Sequence, residues 1–162
     1  MNKISRKRHT YTSKIIWTGN RGTGNKTYHG YARTWDMAAD GKMIVSCSND
    51  PLLGGDNSKY NPEDLLLSAL SSCHMLWYLH LCIDAGVVVL AYEDQPQATG
   101  ELEPGGKGRF LSATLKPKIV ISDGSNLEKA RLIHGDVDQY CFIARSVNFP
   151  VTCEPQVSIA GS

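Results

Sequence analysis

The stretch "NPEDLLLSALSSCHML", residues 61–76, decides how this chain folds. Asn61 is a good acceptor for the first backbone N–H groups of a helix, and Pro62 suits the first helical position. Glu63 and Asp64 then complement the positive end of the helix dipole. Leu66, Leu67, Leu70, Cys73, Met75, Leu76, Trp77, Leu79 and Leu81 follow and cover much of the circumference. The pattern predicts one long, mostly buried helix ending near Gly86, a residue type suited to a left-handed C-terminal cap. In mid-run, Ser71, Ser72 and His74 interrupt the apolar residues around Cys73. The polar cluster raises the question of whether Cys73 fills a core or reacts.

On the N-terminal side, residues 10–18 (TYTSKIIWT) are rich in β-branched and aromatic types and predict a strand. "GNRGTGNKT" is a turn; Gly24 and Lys26 are not adjacent, so the spacing of a phosphate-binding loop is missing. Residues 28–36 (YHGYARTWD) predict a second strand with Tyr31, Arg33 and Trp35 on one face. Residues 43–48 predict a third strand and residues 50–60 a loop. On the C-terminal side, residues 87–93 predict a strand, 95–109 a strand pair or loop, and 110–122 a long strand with Pro117 at an edge or bulge. Residues 126–141 predict a second helix with Leu127, Ala130, Ile133, Val137 and Cys141 as its apolar stripe. Residues 148–159 close with a strand. The expected fold is α+β, antiparallel sheets with two main helices in the order βββ-α-ββ-α-β. It forms a single domain over residues 10–162 behind a disordered basic tail at residues 1–9.

The 162 residues carry 17 Lys plus Arg against 16 Asp plus Glu, a net charge of +1. That balance gives no electrostatic footprint for nucleic acid or an anionic membrane. No run of about 18 apolar residues and no apolar signal core occur, so the expected location is the cytoplasm. The five cysteines, Cys47, Cys73, Cys82, Cys141 and Cys153, form no CxxC pair. In a reducing compartment this argues against a disulfide framework and a structural zinc site, leaving free thiols of which one or two react.

Cys73 and Cys141 both fall on apolar faces and could meet where two helices pack. Peroxide reduction uses such a pair: one thiolate attacks the O–O bond and the second resolves the sulfenic acid. A thiolate in apolar surroundings needs a cation beside it. His74 points about 100° away from Cys73 around the helix, so it reads as a hydrogen-bonded core or rim histidine. Arg33, on its aromatic face, is the better source of charge, and a carboxylate should orient it. Glu63 opens the same helix as Cys73 but lies about 15 Å away along the axis. Both can serve one site only if the helix breaks or if two copies of the chain meet, and the second is favoured.

"NPEDLLLSALSSCHMLWYL" and "QYCFIARSVNFPV" resemble the two signatures of the OsmC/Ohr family, the osmotically inducible and organic-hydroperoxide-resistance proteins. The wording is closest to an OsmC-like branch, and the likeness covers roughly residues 10–160. The resemblance implies an intertwined homodimer with two active sites at the interface, and thiol-dependent reduction of organic hydroperoxides without cofactor or metal. By position, Cys73 is the peroxidatic thiol, Cys141 the resolving thiol and Glu63 the carboxylate that orients an arginine. One branch takes that arginine from the first hairpin turn, which corresponds to Arg21; another takes it from the loop before the helix, where this chain has none. Arg33 is the first choice and Arg21 the second. Leu70, Trp77 and Phe142 are the expected apolar contacts for a bulky peroxide. The resemblance suggests a dithiol reductant, a lipoylated protein or a small thiol. The alternative is a non-catalytic dimer of the same fold that binds an apolar small molecule.

Overall fold

The computed structural model describes residues 7–161. Residues 1–6 of the predicted basic tail lie outside the described residues, and Lys7, Arg8 and His9 are exposed. The chain forms two compact units that divide between Asp64 and Leu65.

In the N-terminal unit β1 (Lys14–Trp17), β2 (Trp35–Ala38) and β3 (Val45–Cys47) form the expected antiparallel meander in that order. Trp17 pairs with Trp35, and Trp35 with Cys47. The strands are shorter than the sequence suggests. Residues 28–34 are turn and irregular chain rather than strand, so Arg33 precedes β2 instead of sitting within it. Ala32 N–H donates to Gly19 O at 2.8 Å, and a Cβ on Gly19 would stand 1.7 Å from that acceptor's partner residue at Ala32 O. Only glycine permits the approach.

Helix α1 (Pro62–Asp84) begins as predicted. Asn61 Oδ1 accepts the Asp64 N–H at 2.7 Å, and Asp64 Oδ2 accepts the Asn61 N–H at 3.1 Å, a reciprocal cap. At the other end Gly86 has φ +69°. Gly86 N–H donates to Ile83 O at 3.1 Å and Val87 N–H to Cys82 O at 2.8 Å, the two bonds of a Schellman ending. Between the caps, only Leu70, His74, Tyr78 and Cys82 are buried, a stripe repeating every fourth residue. The expectation of burial around most of the helix does not hold in the single chain: Leu76 is 62% exposed and Ile83 75%. By length and composition this helix is apolar enough to cross a membrane, although polar residues interrupt its apolar run. Its buried stripe instead packs into a folded core.

The C-terminal unit continues with β4 (Val89–Asp94), β5 (Gln97–Leu102), β6 (Gly108–Leu115), β7 (Pro117–Ile121), α2 (Leu127–Val137), β8 (Val151–Cys153) and β9 (Gln156–Ile159). The order is therefore βββ-α-ββββ-α-ββ, richer in strands than expected. One sheet runs β4-β7-β9 and the other β5-β6-β8. The β4–β7 and β5–β6 pairs are antiparallel, but β6–β8 and β7–β9 are parallel. The parallel pairs follow from α2, which carries the chain back across the sheet as a crossover. The core gathers Tyr78 and Cys82 of α1, Ile119 and Ile121 of β7, and Ile133 and Val137 of α2.

Candidate active site

Cys73 lies mid-way along α1, half-buried and packed against the core. Cys141 is buried, at 2% exposure. It does not sit on a helix, as its place in the apolar stripe suggests, because α2 ends at Val137. The Cys141 N–H still donates to Val137 O at 2.9 Å, so the turn keeps the thiol on the inward face after the helix stops. The structure brings these two cysteines near one another: Cys73 packs against the core cluster that holds Cys141, close enough to raise the Cys141 thiol.

The surroundings of Cys141 pull in two directions. Burial pushes its thiol up to about 11. Against this, the backbone N–H groups of Ala144 and Ile143 point at the sulfur and favour its anion, Ala144 N lying 3.4 Å from Sγ. These donors open the short 3-10 turn Ala144–Ser146. The proximity of Cys73 raises the Cys141 thiol further. Cys141 therefore rests as a thiol at neutral pH.

The polar residues around Cys73 each have a separate partner. Ser71 Oγ–H donates to Asp94 Oδ2 at 2.5 Å, and Asp94 Oδ1 accepts the Lys116 N–H at 2.7 Å. Ser72 Oγ–H returns to Ala69 O at 3.3 Å. His74, 2% exposed, bonds to His134 with 2.9 Å between Nε2 and Nδ1. It is the hydrogen-bonded core histidine that the sequence suggests, not a base directed at Cys73. Burial holds both histidines below the usual imidazole range, His134 down to about 3, so neither is charged at neutral pH.

Of the predicted apolar contacts, Leu70 is buried, Trp77 stacks on Tyr140 with 5.1 Å between ring centroids, and Phe142 is 62% exposed. The Trp77–Tyr140 pairing has no signature in the sequence, since Tyr140 follows the end of α2.

In the N-terminal unit Arg33 lies over two rings, its Cζ 4.2 Å from the Tyr28 centroid and 4.8 Å from that of Tyr31. Its Nη2 donates to Tyr28 O at 3.0 Å. Such stacking holds a guanidinium in place while leaving its remaining donors free for other partners. Arg21 and Arg33, the two candidates from the sequence, line the same cavity of about 660 Å3, together with His29, Leu52 and Asp56. Glu63 is exposed in the first turn of α1. Among the described residues it forms no ion pair with Arg33 within one chain.

The profile of a family described as OsmC-like protein matches residues 55–156. No curated protein matches the chain. Among solved structures, an OsmC-like protein of unknown function from Vibrio cholerae is 25% identical, with a TM-score of 0.81 over 91% of this chain and 99% of that one. An organic hydroperoxide resistance protein OsmC from Legionella pneumophila is 16% identical, with a TM-score of 0.66 over 94% and 99% of the two chains. An organic hydroperoxide resistance protein from Elizabethkingia anophelis, with thiocyanate bound, is 18% identical, with a TM-score of 0.65 over 94% and 99%. The last two establish likeness of fold.

Proposed function

We propose that this chain, which belongs to the OsmC-like family, reduces organic hydroperoxides to alcohols through Cys73 and Cys141. One observation carries the reading: two thiols from separate elements lie beside one another at the edge of the core, and Cys73 acts on the Cys141 thiol. A packing role needs two small apolar fillers. It does not need one thiol set beside another with backbone N–H groups aimed at one of them.

In the proposed cycle the Cys73 thiolate attacks the outer oxygen of the hydroperoxide. The O–O bond breaks, the alkoxide takes up a proton and leaves as alcohol, and Cys73 becomes a sulfenic acid. Cys141 then attacks that sulfur; its proton and the sulfenic hydroxyl leave as water, and a Cys73–Cys141 disulfide forms. A dithiol reductant restores both thiols. The Ile143 and Ala144 N–H groups support negative charge on Cys141 as its proton departs. Arg33, oriented by Glu63, is the proposed cation for the Cys73 thiolate, with Arg21 as the second choice. Leu70, Trp77 and Phe142 give the site its preference for bulky peroxides. The proposed assembly is a cytoplasmic homodimer, a reading supported by the exposed apolar residues of α1, Leu76 and Ile83.

The test is thiol titration of the fully reduced protein after one equivalent of cumene hydroperoxide per chain. Loss of two thiols, with the Cys73 and Cys141 peptides linked under non-reducing conditions, supports the proposal. Retention of all five thiols leaves the alternative, a non-catalytic dimer binding an apolar small molecule.

A further inference from the structure

Away from the thiol pair, three side chains from α1, α2 and β8 meet inside the C-terminal unit. His74 Nε2 and His134 Nδ1 are 2.9 Å apart, and Cys153 Sγ lies 3.6 Å from the first and 3.7 Å from the second. Both histidines are more than nine-tenths buried, and Cys153 is partly so. Their positions are locked. The Tyr78 ring stacks on His134 at 3.9 Å, His134 stacks on His74 at 5.3 Å, and Tyr78 Oη–H is tied to Ala130 O at 3.0 Å.

Hydrogen bonding accounts for this triangle poorly. In a neutral pair, one imidazole nitrogen of the contact carries the hydrogen and the other accepts it. Only one nitrogen is then open to a thiol, yet the sulfur stands almost equally far from both. His134 Nε2 is buried without a partner among the described residues, so no bond on that side fixes the tautomer. The Tyr92 hydroxyl is likewise buried and without a partner among the described residues, and it interacts electrostatically with Cys153.

A shared metal ion accounts for it better. With metal–nitrogen bonds of about 2.0 Å and metal–sulfur bonds of about 2.3 Å, a three- or four-coordinate ion separates ligand N and S by about 3.5–3.7 Å. Both N···S edges already have that length. The N···N edge must open by only about half an ångström, which a small rotation of one ring supplies. We propose that His74 Nε2, His134 Nδ1 and Cys153 Sγ form a binding site for a soft d10 metal ion, Cu+ in particular. Thiolate and imidazole are the ligands such ions select. One thiolate and two neutral imidazoles also cancel the single charge of Cu+ and complete three-coordination, so a neutral complex sits in a buried site. Zn2+ in the same place keeps one uncompensated charge and lacks a fourth ligand. The surrounding field favours a cation: Asp94 and Asp138 act on both His74 and Cys153.

The test uses a Cys73→Ser/Cys141→Ser background, so that the other thiol pair cannot capture copper. The protein competes for Cu+ against a chromophoric Cu+ chelator without oxygen, and the bound metal is examined by X-ray absorption. One Cu+ withheld per chain, with two nitrogen ligands and one sulfur at first-shell distances, is the expected result. Adding Cys153→Ser should release that ion while circular dichroism shows the fold intact. The absorption spectrum of the background protein stands by itself if that variant fails to fold. Failure to withhold Cu+ from the chelator, or a copper shell without sulfur, overturns the site. Displacement of bound Cu+ by an equal concentration of Zn2+ overturns the choice of ion. None of these outcomes depends on Cys73 or Cys141 being reactive.

Discussion

Removing the Asp94 carboxylate should loosen the C-terminal unit at one corner. Asp94 ends β4, where the chain turns into β5. Its Oδ1 holds the Lys116 N–H at 2.7 Å, at the break between β6 and β7, and its Oδ2 holds Ser71 of α1 at 2.5 Å. Hydrogen bonds to a charged group contribute about 1.5–3 kcal/mol each. Asp94→Ala deletes two and leaves a backbone donor in partly buried surroundings, so the expected loss is about 3–5 kcal/mol. Ser71→Ala deletes one bond and leaves the Lys116 contact, an expected loss of about 1.5–3 kcal/mol. Because the Ser71 bond exists only while Asp94 is present, the double variant should match Asp94→Ala alone. The coupling energy is then about 1.5–3 kcal/mol. Urea unfolding of the four proteins, with midpoint and slope both fitted, measures this. Strictly additive losses, or an Asp94→Ala protein within about 0.5 kcal/mol of the parent, would show that the carboxylate does not bridge helix and sheet corner.

Three further outcomes follow from single residues. The Cys141 thiol, pushed up to about 11 by burial, ionises later in the folded than in the unfolded chain. Its contribution is therefore complete below about pH 8.5, the ordinary thiol value, and is lost as pH rises toward 11, by up to about 1.4 kcal/mol per pH unit. The difference in melting temperature between the parent and Cys141→Ser across pH 8 to 11 reads this directly. Gly86→Ala forces a side chain into φ +69° while its Cβ meets nothing within 4 Å, so the cost is backbone strain alone, about 1–2 kcal/mol by urea unfolding. Arg33→Lys keeps the charge but loses the planar stack on Tyr28 and Tyr31. We expect kcat/KM for cumene hydroperoxide to fall about tenfold or more, with the folded state retained, and an unchanged value would remove Arg33 from the proposed site.

What was legible in the sequence is what local chemistry fixes. Asn61, Pro62 and Gly86 marked both ends of α1, because a cap depends on residues within one turn. The strands were harder. Each of the three long extended segments breaks beside a proline, Pro96, Pro117 or Pro155, and the sequence shows these as isolated irregularities. Only pairing shows that the breaks fall at one level and divide a ladder into two sheets. A proline cannot donate to the ladder, so three at one level end the pairing together. Cys141 was assigned to the right face and the wrong element. Apolar periodicity reports burial, and here burial continues through a turn after the helix has stopped. The His74–His134–Cys153 cluster had no local trace at all, its members being 60 and 79 residues from His74 along the chain.

The polar run at Ser71, Ser72 and His74 shows how a prediction can lean on residues whose polarity has another cause. In the sequence it suggests that Cys73 is set in a reactive pocket. In the structure each of the three has another partner: Ser71 donates to Asp94, Ser72 donates back to Ala69 O one turn earlier, and His74 faces His134. They are polar because α1 passes a sheet corner and a second helix, each with hydrogen-bonding groups to satisfy. Take them away and the case for Cys73 as a reactive thiol loses its first argument but keeps its second. A half-buried sulfur paired with a buried one, on a turn whose backbone N–H groups point at that partner, is an arrangement that packing alone does not require. The weight therefore moves from the residues beside Cys73 in sequence to Cys141, 68 positions away, which makes Cys141 rather than His74 the more informative position to mutate next.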